Sequence, residues 1–380
     1  MAHPKVQAMA DRAVAAAREP KPTCAPAERR IPISRYLGEP ELAWERENLF
    51  RRLPLVVAHG SELPAPGSAL ALEVAGVPLL LTRDAGGTAR AFLNACRHRA
   101  TRLLPPGPCE AKKALVCPYH AWTYGLDGAL IHVPREEAFP PTAKAPLARL
   151  PLQERHGLLW VTLAPGDQGP ELPAGTAEVG EELESLGLKD LVLFRRATST
   201  RRANWKLIAE AFLEGYHIAR LHRTSVSPFF VDSVFAAERA GDHIRSASAR
   251  KVAREPGAEG LPLRELVTPS YFLFPSTVVV FHPDFVSVAG FTPLATDRLQ
   301  WHHSMLVERA PETEKAKRHF EKSYRLIEEQ VFSGEDLFIA EEMQAGMAAR
   351  ASEELVFGGL EAPVGWFHDA IESHRAAAIR

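Results

Sequence analysis

Hydrophobic and polar positions first follow helical spacing and then a shorter, strand-like pattern. Apolar residues recur at the spacing of a helix face in "VQAMADRAVAAARE", near the N-terminus, and in "PELAWERENLFRRL". From Leu55 the pattern changes to short β-rich runs separated by Gly and Pro: "LVVAHG", "ALALEVAG", "VPLLLT", "ARAFLNA" and "HGLLWVTLA". This pattern predicts an N-terminal helical segment at residues 1–39 and a small antiparallel β domain at residues 40–165.

A Gly/Pro-rich break, "PGDQGPELPAG", follows at residues 165–175 and is the best candidate for a linker. Beyond it the pattern predicts a strand in "LVLFRRATSTRRAN", a helix that begins near Trp205, strands within residues 271–307, and a long helix over residues 312–350. Strands enclosed by helices are typical of an α+β domain, which we expect at residues 166–380.

Charge and hydropathy exclude several classes of partner. The 380 residues carry 45 Lys and Arg against 47 Asp and Glu, and the formal net charge of −2 gives no attraction to polyanions. The longest apolar run, "YFLFPSTVVVF", contains a proline and is too short for a membrane-spanning helix. The N-terminus lacks the apolar core of a signal peptide. We therefore expect a cytoplasmic protein that binds neither nucleic acid nor membrane.

Cysteine and histidine cluster in one stretch, "CRHRATRLLPPGPCEAKKALVCPYH". The sequence contains four cysteines: Cys24, Cys96, Cys109 and Cys117. The chain is too long to depend on a disulfide framework, and clustered Cys and His in a reducing compartment indicate a metal site. Cys96 and His98 form one end of the stretch, and Cys117 and His120 form the other.

Two thiolates and two imidazoles suit either tetrahedral zinc or an iron–sulfur cluster, so the residue types leave both open. A Cys₂His₂ zinc finger usually pairs its cysteines at one end and its histidines at the other. Here each end supplies one of each, which suits a Rieske [2Fe–2S] centre, where one iron takes both cysteines and the other both histidines. Cys109 has no partner motif, and we interpret it as a bystander. A structural zinc site, in a binding protein without a redox role, is the alternative.

The segments "CRHR" and "CPYHAWTYGLDG" closely resemble the cluster-binding loops of the catalytic (alpha) subunits of Rieske non-haem iron oxygenases. The resemblance extends over roughly residues 40–370. It departs in the loop "LLPPGPC", since the 18 residues between His98 and Cys117 slightly exceed the expected spacing. The resemblance implies an α+β fold: an N-terminal antiparallel β Rieske [2Fe–2S] domain and a C-terminal helix-grip (START-like) catalytic domain with a mononuclear non-haem Fe(II).

A second constellation lies in "NWKLIAEAFLEGYHIARLH", which resembles the family's iron-carrying helix. At about 100° per residue, Glu210, Glu214 and His217 share one helical face, whereas His222 lies roughly 140° round from His217. A straight helix does not aim both histidines at one metal. We therefore expect the helix to bulge or to end before His222. A pair of interior histidines without a metal is the alternative.

Two histidines and one carboxylate leave positions on an iron open for dioxygen. The resemblance implies that Asp336, in "VFSGEDLFIAEEMQAG", is the third metal ligand after His217 and His222, with Glu335 and Glu361 as competitors.

Glu214 stands where the family has an acid that joins the two metal sites, and glutamate here resembles the branch that oxidises carnitine- and choline-like amines. The resemblance implies hydrogen bonds from Glu214 to His217 and to His120 of a neighbouring subunit, as in outer-shell acids that fix imidazole tautomers. A surface glutamate on an amphipathic helix is the alternative.

As a whole, the resemblance implies an oxidoreductase: a mono- or dioxygenase that is the terminal oxygenase of a multicomponent system. It would use O₂ to hydroxylate or oxidatively demethylate a small amine, quaternary ammonium or aromatic substrate. The chain has no "GxGxxG" fingerprint and no second cysteine set, so electrons from NAD(P)H would come through a separate flavin/iron–sulfur reductase or a ferredoxin. The family also implies a homotrimer.

Two other functions remain open: an aromatic-ring cis-dihydroxylating dioxygenase, and a Rieske electron carrier or ligand-binding protein without a working mononuclear iron. Substrate identity is not written in the sequence. Nine aromatic residues are candidates for an apolar cavity, although most suit a hydrophobic core equally well: Phe212, Tyr216, Phe229, Phe230, Tyr271, Phe272, Phe281, Phe285 and Trp301.

Overall fold

The computed structural model describes most of the chain: residues 2–19, 29–109, 113–140, 145–166 and 171–378. Cys24 and residues 167–170 of the predicted linker lie outside the described residues. The chain forms two compact units, one of residues 50–172 and one of residues 1–49 together with 173–380. The N-terminal segment thus groups with the C-terminal part of the chain. The domain limits given above stay a prediction.

In the described residues, the α-helices all lie in the unit of residues 1–49 and 173–380. They are α1 Pro4–Arg18, α2 Ser34–Leu37, α3 Glu39–Glu45, α4 Thr176–Ser185, α5 Trp205–Ala211, α6 Ile218–Leu221, α7 Leu263–Leu266, α8 Glu314–Tyr324, α9 Leu337–Ala348 and α10 Ala362–Ala378. Two stretches have the wider π-helical geometry: Arg46–Phe50, after α3, and Arg325–Asp336, between α8 and α9.

The strands are short in the first unit and longer in the second. They are β1 Arg29–Pro32, β2 Leu55–His59, β3 Ala69–Val74, β4 Val77–Arg83, β5 Ala89–Leu93, β6 Gly107–Cys109, β7 Ala114–Val116, β8 Thr123–Gly125, β9 Leu130–His132, β10 Arg149–Leu150, β11 Leu152–Arg155, β12 Leu158–Val161, β13 Val192–Arg201, β14 Phe230–Ala240, β15 His243–Arg250, β16 Val267–Leu273, β17 Thr277–Phe281, β18 Phe285–Ala295, β19 Arg298–Val307 and β20 Glu354–Phe357.

The unit of residues 50–172 is built from antiparallel sheets. One has five strands in the order β10-β5-β4-β3-β6, and two have three strands each, β11-β12-β2 and β7-β8-β9. Ala75 and Gly76 both take a positive φ between β3 and β4, as a tight two-residue hairpin requires. The predicted antiparallel β domain is confirmed.

The other unit contains a seven-stranded antiparallel sheet in the order β13-β19-β18-β17-β16-β15-β14. Helix α1 packs on β14 and β15 through Met9, Ala13 and their neighbours. Phe367 of α10 contacts Trp205 of α5 and Phe272 of β16, with ring centroids 5.6 and 5.3 Å apart, and so joins two helices to the sheet. The α+β class is confirmed.

The sequence pattern did not predict β14 and β15. Their segment carries inward-facing polar residues that break the alternation of a half-buried strand. Arg245 on β15 is only 1% exposed, and it pairs with Glu182 at 3.2 Å and with Glu178, both on α4. The long helix predicted over residues 312–350 is present, but its middle third is π-helical. No helix in the described part of the chain has the length and apolar character to cross a bilayer.

Candidate metal centres

Helix α5, which precedes His217, has a capped start and ends well before the histidine. Asn204 caps the start of α5, since its side chain accepts a hydrogen bond from the Lys206 backbone N–H at 3.0 Å. The helix stops at Ala211, and a short helix, α6, separates His217 at its start from His222 at its end. The expected break before His222 is confirmed. It brings the two imidazole rings to 5.1 Å between centroids.

Asp336 completes a group of three ligand-type side chains. One ligand atom from each of His217, His222 and Asp336 lies within 4.8 Å of the others. Asp336 Oδ1 is 3.1 Å from His222 Nε2 and 3.8 Å from His217 Nε2. No donor in the described ranges is aligned for a hydrogen bond to this buried oxygen. A buried carboxylate oxygen without a donor is costly unless a cation takes its lone pair.

Each histidine has a carboxylate on its other ring nitrogen. His217 Nδ1–H donates to Glu214 Oε1, and His222 Nδ1–H donates to Glu335 Oε2 at 2.7 Å. The Ser225 hydroxyl donates to the same Glu335 oxygen at 2.6 Å. Both imidazoles therefore present Nε2 to the space that they share with Asp336.

The charges at this centre favour a bound cation. Burial lowers the pKa of His217, but its hydrogen bond with Glu214 and the charges of Glu214 and Asp336 outweigh burial and raise that pKa above its ordinary value. Burial likewise lowers the pKa of His222, and Asp336 and Glu335 more than offset it. The carboxylates thus stabilise positive charge between the rings, whether carried by a proton or by a metal ion.

Glu361, a competitor for the third ligand position, is not part of the group. Its carboxylate accepts the Gly358 backbone N–H at 2.8 Å. Burial raises its pKa, and the nearby charges of Glu214 and Glu210 raise it further. Glu335, the other competitor, orients His222 instead of joining the three ligand atoms.

A cavity of about 220 Å³ adjoins the three ligand-type residues, and its wall is mostly apolar. Four of the nine aromatic candidates line it: Phe212, Phe229, Phe230 and Phe285. Tyr216 is instead 56% exposed, and the other four are buried core residues: Tyr271, Phe272, Phe281 and Trp301. Phe332 and Val331, from the π-helical stretch, complete the wall beside Asp336.

In the unit of residues 50–172, the two Cys/His loops have the same backbone form. The Ala100 N–H donates to the Cys96 carbonyl at 2.9 Å, and the Ala121 N–H donates to the Cys117 carbonyl at 3.0 Å. Both alanines take a left-handed conformation, with φ of 58° and 56°. Each thiol thus begins an equivalent tight turn, and a histidine follows on each turn. The His98 and His120 rings lie close together in an edge-on arrangement, with centroids 4.7 Å apart.

Cys96 and Cys117 are buried free thiols in one core cluster with Trp122 and Tyr124. Burial and the charge of His120 lower the pKa of His98, which favours the neutral imidazole that binds metal. Cys109, also free, lies in β6 and packs at the edge of this cluster.

Two family models match the chain. "Ring hydroxylating alpha subunit (catalytic domain)" matches residues 188–376, and "Rieske [2Fe-2S] domain" matches residues 54–151. The chain belongs to the Rieske oxygenase alpha-subunit family. The predicted family is therefore confirmed, together with its pair of cofactors, a Rieske [2Fe–2S] cluster and a non-haem iron.

Among curated Rieske oxygenase subunits, the carnitine monooxygenase oxygenase subunit of Escherichia coli (strain K12) is 36% identical over 211 residues, 54% of each chain. The glycine betaine monooxygenase oxygenase subunit of Chromohalobacter salexigens is 33% identical over 190 residues, 49% of this chain and 42% of the relative. The chain thus spans about half the length of the curated relatives it matches.

Among solved Rieske oxygenases, the quaternary ammonium monooxygenase CntA with L-carnitine superposes with a TM-score of 0.77 at 23% identity, covering 93% of this chain and 97% of that one. Naphthalene 1,2-dioxygenase with bound indole gives 0.73 at 19% identity, covering 91% and 92%. Likeness at this level of identity shows the fold.

The donor sets fit both family cofactors. Two buried thiols and two neighbouring imidazoles match a Rieske cluster. Two imidazoles match non-haem Fe(II) together with one carboxylate, whose buried oxygen has no hydrogen-bond donor among the described residues. The sequence analysis missed Tyr124 and the orienting role of Glu335, which it named only as a competing ligand. Tyr124 places its hydroxyl 3.3 Å from Cys96 Sγ, and Glu335 orients His222. A signal for Glu335 existed, because a metal-binding imidazole usually needs an acceptor for its second nitrogen.

Proposed function

We propose that this chain is the terminal oxygenase of a multicomponent Rieske system that hydroxylates or oxidatively demethylates a small organic substrate with O₂. Electrons from NAD(P)H would reach it through a separate reductase or ferredoxin. The observation that carries the proposal is the convergence of His217, His222 and Asp336 at the wall of an apolar cavity. A cavity that small, below the roughly 300–1,000 Å³ of sites for drug-sized ligands, suits a small substrate.

In this proposal His217, His222 and Asp336 hold the mononuclear iron, while Cys96, His98, Cys117 and His120 hold the cluster. When bound, the iron supplies O₂ activation and the cluster supplies electrons. The chain's own residues position the reaction. Glu214 and Glu335 accept the Nδ1–H of the two histidines and so direct both Nε2 atoms to the metal position, and Phe212, Val331 and Phe332 give the substrate an apolar surface that limits the access of water.

Glu214 is proposed to connect the mononuclear site with a second subunit. Its side chain lines the substrate cavity and also a separate surface pocket with Glu361, Ile339 and Met343. In the proposal, this carboxylate hydrogen-bonds His120 of the partner subunit in a homotrimer. Inter-subunit electron transfer is described for a quaternary ammonium Rieske monooxygenase with the same fold, which supports this arrangement.

The proposed substrate class is a methylated amine or quaternary ammonium compound. Curated relatives act on carnitine and glycine betaine, and the aromatic wall of the cavity suits an alkylated ammonium group through cation–π attraction. Glutamate at position 214 is the sequence feature that favours this class over aromatic-ring dihydroxylation.

The decisive test uses anaerobically purified protein whose iron and acid-labile sulfide are measured first. We expect about three irons and about two sulfides per chain. Reduced protein is then exposed to labelled dioxygen with a panel of methylated amines, and the products are analysed by mass spectrometry. Incorporated label in wild type, absent in His217→Ala with an intact cluster spectrum, is the expected result. A fully loaded, reduced protein that gives no labelled product would show that the chain is an electron carrier or ligand-binding protein.

A further inference from the structure

The substrate cavity has a polar end on the sheet. Ser248 and Arg250 alternate along β15, and Thr268 and Ser270 alternate along β16, so all four project from the same face into the cavity. These four residues are called the polar end below. They contrast with the apolar wall that helix α5 and the π-helical stretch provide.

Arg250 contributes a positive charge that is not paired with an acid in the described part of the chain. None of the carboxylates in the described residues lies within ion-pair distance, and its side-chain hydrogen bond, to Thr268 Oγ1, is long at 3.4 Å. Burial lowers its pKa, and only the more distant charge of Glu265 acts in the other direction. A guanidinium has five N–H donors, so most of those on Arg250 are available to a ligand.

A second arginine on β15, the buried Arg245, is paired with acids and has a structural role. Arg245, five residues earlier on β15, is surrounded by Glu178, Glu182 and Glu238, and the Glu182 contact is 3.2 Å. Since a partly buried cation is costly without a counter-charge, the difference indicates that Arg250 receives its counter-charge from outside the chain.

The location of Arg250 suits a ligand that enters from solvent. Its guanidinium lies 5.6 Å from the ring centroids of both Phe229 and Phe230, which fix its direction. Phe229 also lines the cavity and is 48% exposed, so the polar end lies on a side that solvent reaches. His282, nearby, adds no charge, because burial lowers its pKa to about 3. Arg250 is the only lysine or arginine among the described residues that line the cavity.

We propose that Arg250, assisted by the hydroxyls of Ser248, Thr268 and Ser270, binds a carboxylate of the substrate and so directs the opposite, methylated or apolar end toward the metal centre. Arg250 is then a specificity-determining residue that selects acids and zwitterions over neutral compounds and simple cations. The planar guanidinium matches a carboxylate with two parallel hydrogen bonds. The inference rests on the proposed function for the reaction at the far end of the substrate, but binding tests it without turnover.

The test measures the affinity of the metal-loaded protein, by calorimetry without oxygen, for matched acid and amide pairs. The pairs are γ-butyrobetaine with its carboxamide and phenylacetate with phenylacetamide. In at least one pair we expect the acid to bind about 10- to 100-fold more tightly than the amide, as for hydrogen bonds between charged groups. Arg250→Gln removes this preference by weakening the binding of the acid alone, and Arg250→Lys restores part of the preference.

Lys251→Gln is the matched control, because it removes one exposed positive charge at the next position of the chain. It leaves the acid preference unchanged. Equal affinity of wild type for acid and amide in both pairs, including no binding of either, overturns the assignment. So does an equal loss for acid and amide in Arg250→Gln, which would mean a structural role. Failure of the proposed function is distinguishable, since it gives acid preference and metal loading without labelled product.

Discussion

Glu335 and Asp336 are neighbours in the sequence, yet their carboxylates face different atoms of one histidine. Glu335 Oε2 lies 2.7 Å from His222 Nδ1, whereas Asp336 Oδ1 lies 3.1 Å from His222 Nε2. Successive helical side chains diverge by about 100° or less, and the His222 ring lies between the two carboxylates. One dipeptide therefore supplies both a proposed metal ligand and the group that orients another ligand.

Replacing the proposed ligand should remove one metal selectively. We predict that Asp336→Ala lowers the iron content from about three to about two per chain, because two imidazoles alone hold Fe(II) weakly. The cluster absorption and the sulfide content remain, while substrate oxidation is lost. Iron analysis together with visible spectroscopy checks this. Retention of all three irons would assign the third ligand to another residue.

Replacing the orienting acid should weaken the site without removing a ligand. We predict that Glu335→Gln lowers Fe(II) affinity by about 10- to 100-fold, since loss of such outer-shell partners has effects of this size. The measurement is competition with a coloured chelator. Glu329→Gln, at an exposed position on the same π-helical stretch, is the control and keeps the wild-type affinity. Equal affinities for both variants would leave Glu335 with no part in metal binding.

At these centres, residue types and spacing predicted which residues belong to each site, but not the role of every residue. The four Cys/His positions and the group of His217, His222 and Asp336 were all proposed from the sequence, and the structure brings the latter three together. The assignment of these residues as ligands stays a prediction. The need of a metal-binding imidazole for an acceptor pointed to an acid near His222, but the position of Glu335 left its role open, because a carboxylate beside a ligand is equally suited to competing for the metal and to orienting a histidine.

Helix α5 is anchored by ions rather than by apolar packing alone. Lys206 Nζ lies 2.6 Å from Glu45 Oε1, with both side chains essentially buried, and Trp205 Nε1 donates to Glu45 Oε2 at 2.8 Å. One turn later, Tyr36 and His368 both contact Glu210 Oε1, at 2.6 and 2.9 Å. These contacts fix the axis of the helix that leads into the His217 loop.

Replacing one partner of the Lys206–Glu45 ion pair should lower the stability of the fold more than replacing both partners. We predict that Lys206→Met destabilises the unit by about 3–5 kcal/mol, because it leaves the Glu45 carboxylate buried without a cation. The double variant Lys206→Met/Glu45→Leu recovers much of this loss, since no charge remains buried. Thermal and chemical unfolding of both variants check the prediction. A double variant less stable than the single one would mean that the ion pair itself stabilises α5.

Element prediction succeeded where apolar periodicity was strong and failed where buried polar residues interrupted it. The N-terminal helix, the strands of the first unit and β13 follow from their patterns. Strands β14 and β15 did not, because the buried Arg245 pairs with Glu178 and Glu182 on α4, which are distant in the sequence, as well as with Glu238 on β14. A local sequence pattern does not reveal the contacts of Arg245 with α4.

For the whole molecule, several buried histidines remain neutral. His243 accepts the Phe274 N–H on Nδ1 at 3.0 Å and donates from Nε2 to the Thr176 hydroxyl at 2.8 Å, which leaves no place for another proton. Burial lowers its pKa to about 4. Burial also lowers the pKa of His282 to about 3 and that of His302 well below its ordinary value.

Because their pKa values are lowered, these histidines make the folded protein less stable as the pH falls. Between the folded pKa of His243, about 4, and its ordinary value of about 6.5, the unfolded chain binds a proton that the folded chain does not. Stability is therefore fully present above about pH 6.5 and falls as the pH drops toward 4. We predict a shallower loss in His243→Gln, measured by chemical denaturation over this range. An unchanged slope would show that His243 does not contribute to acid unfolding.

The π-helical stretch also makes the protein more sensitive to changes in chain length than to changes in side chains. Deleting one residue between Tyr324 and Asp336 would rotate the Glu335–Asp336 dipeptide by about 100° relative to α8 and turn both carboxylates away from His222. Each Cys/His pair, by contrast, lies on its own tight turn, so a change of length in the loop between the pairs, outside β6 and β7, leaves both turns intact. Over evolutionary time, insertions and deletions should accumulate in that loop and be purged from the π-helical stretch.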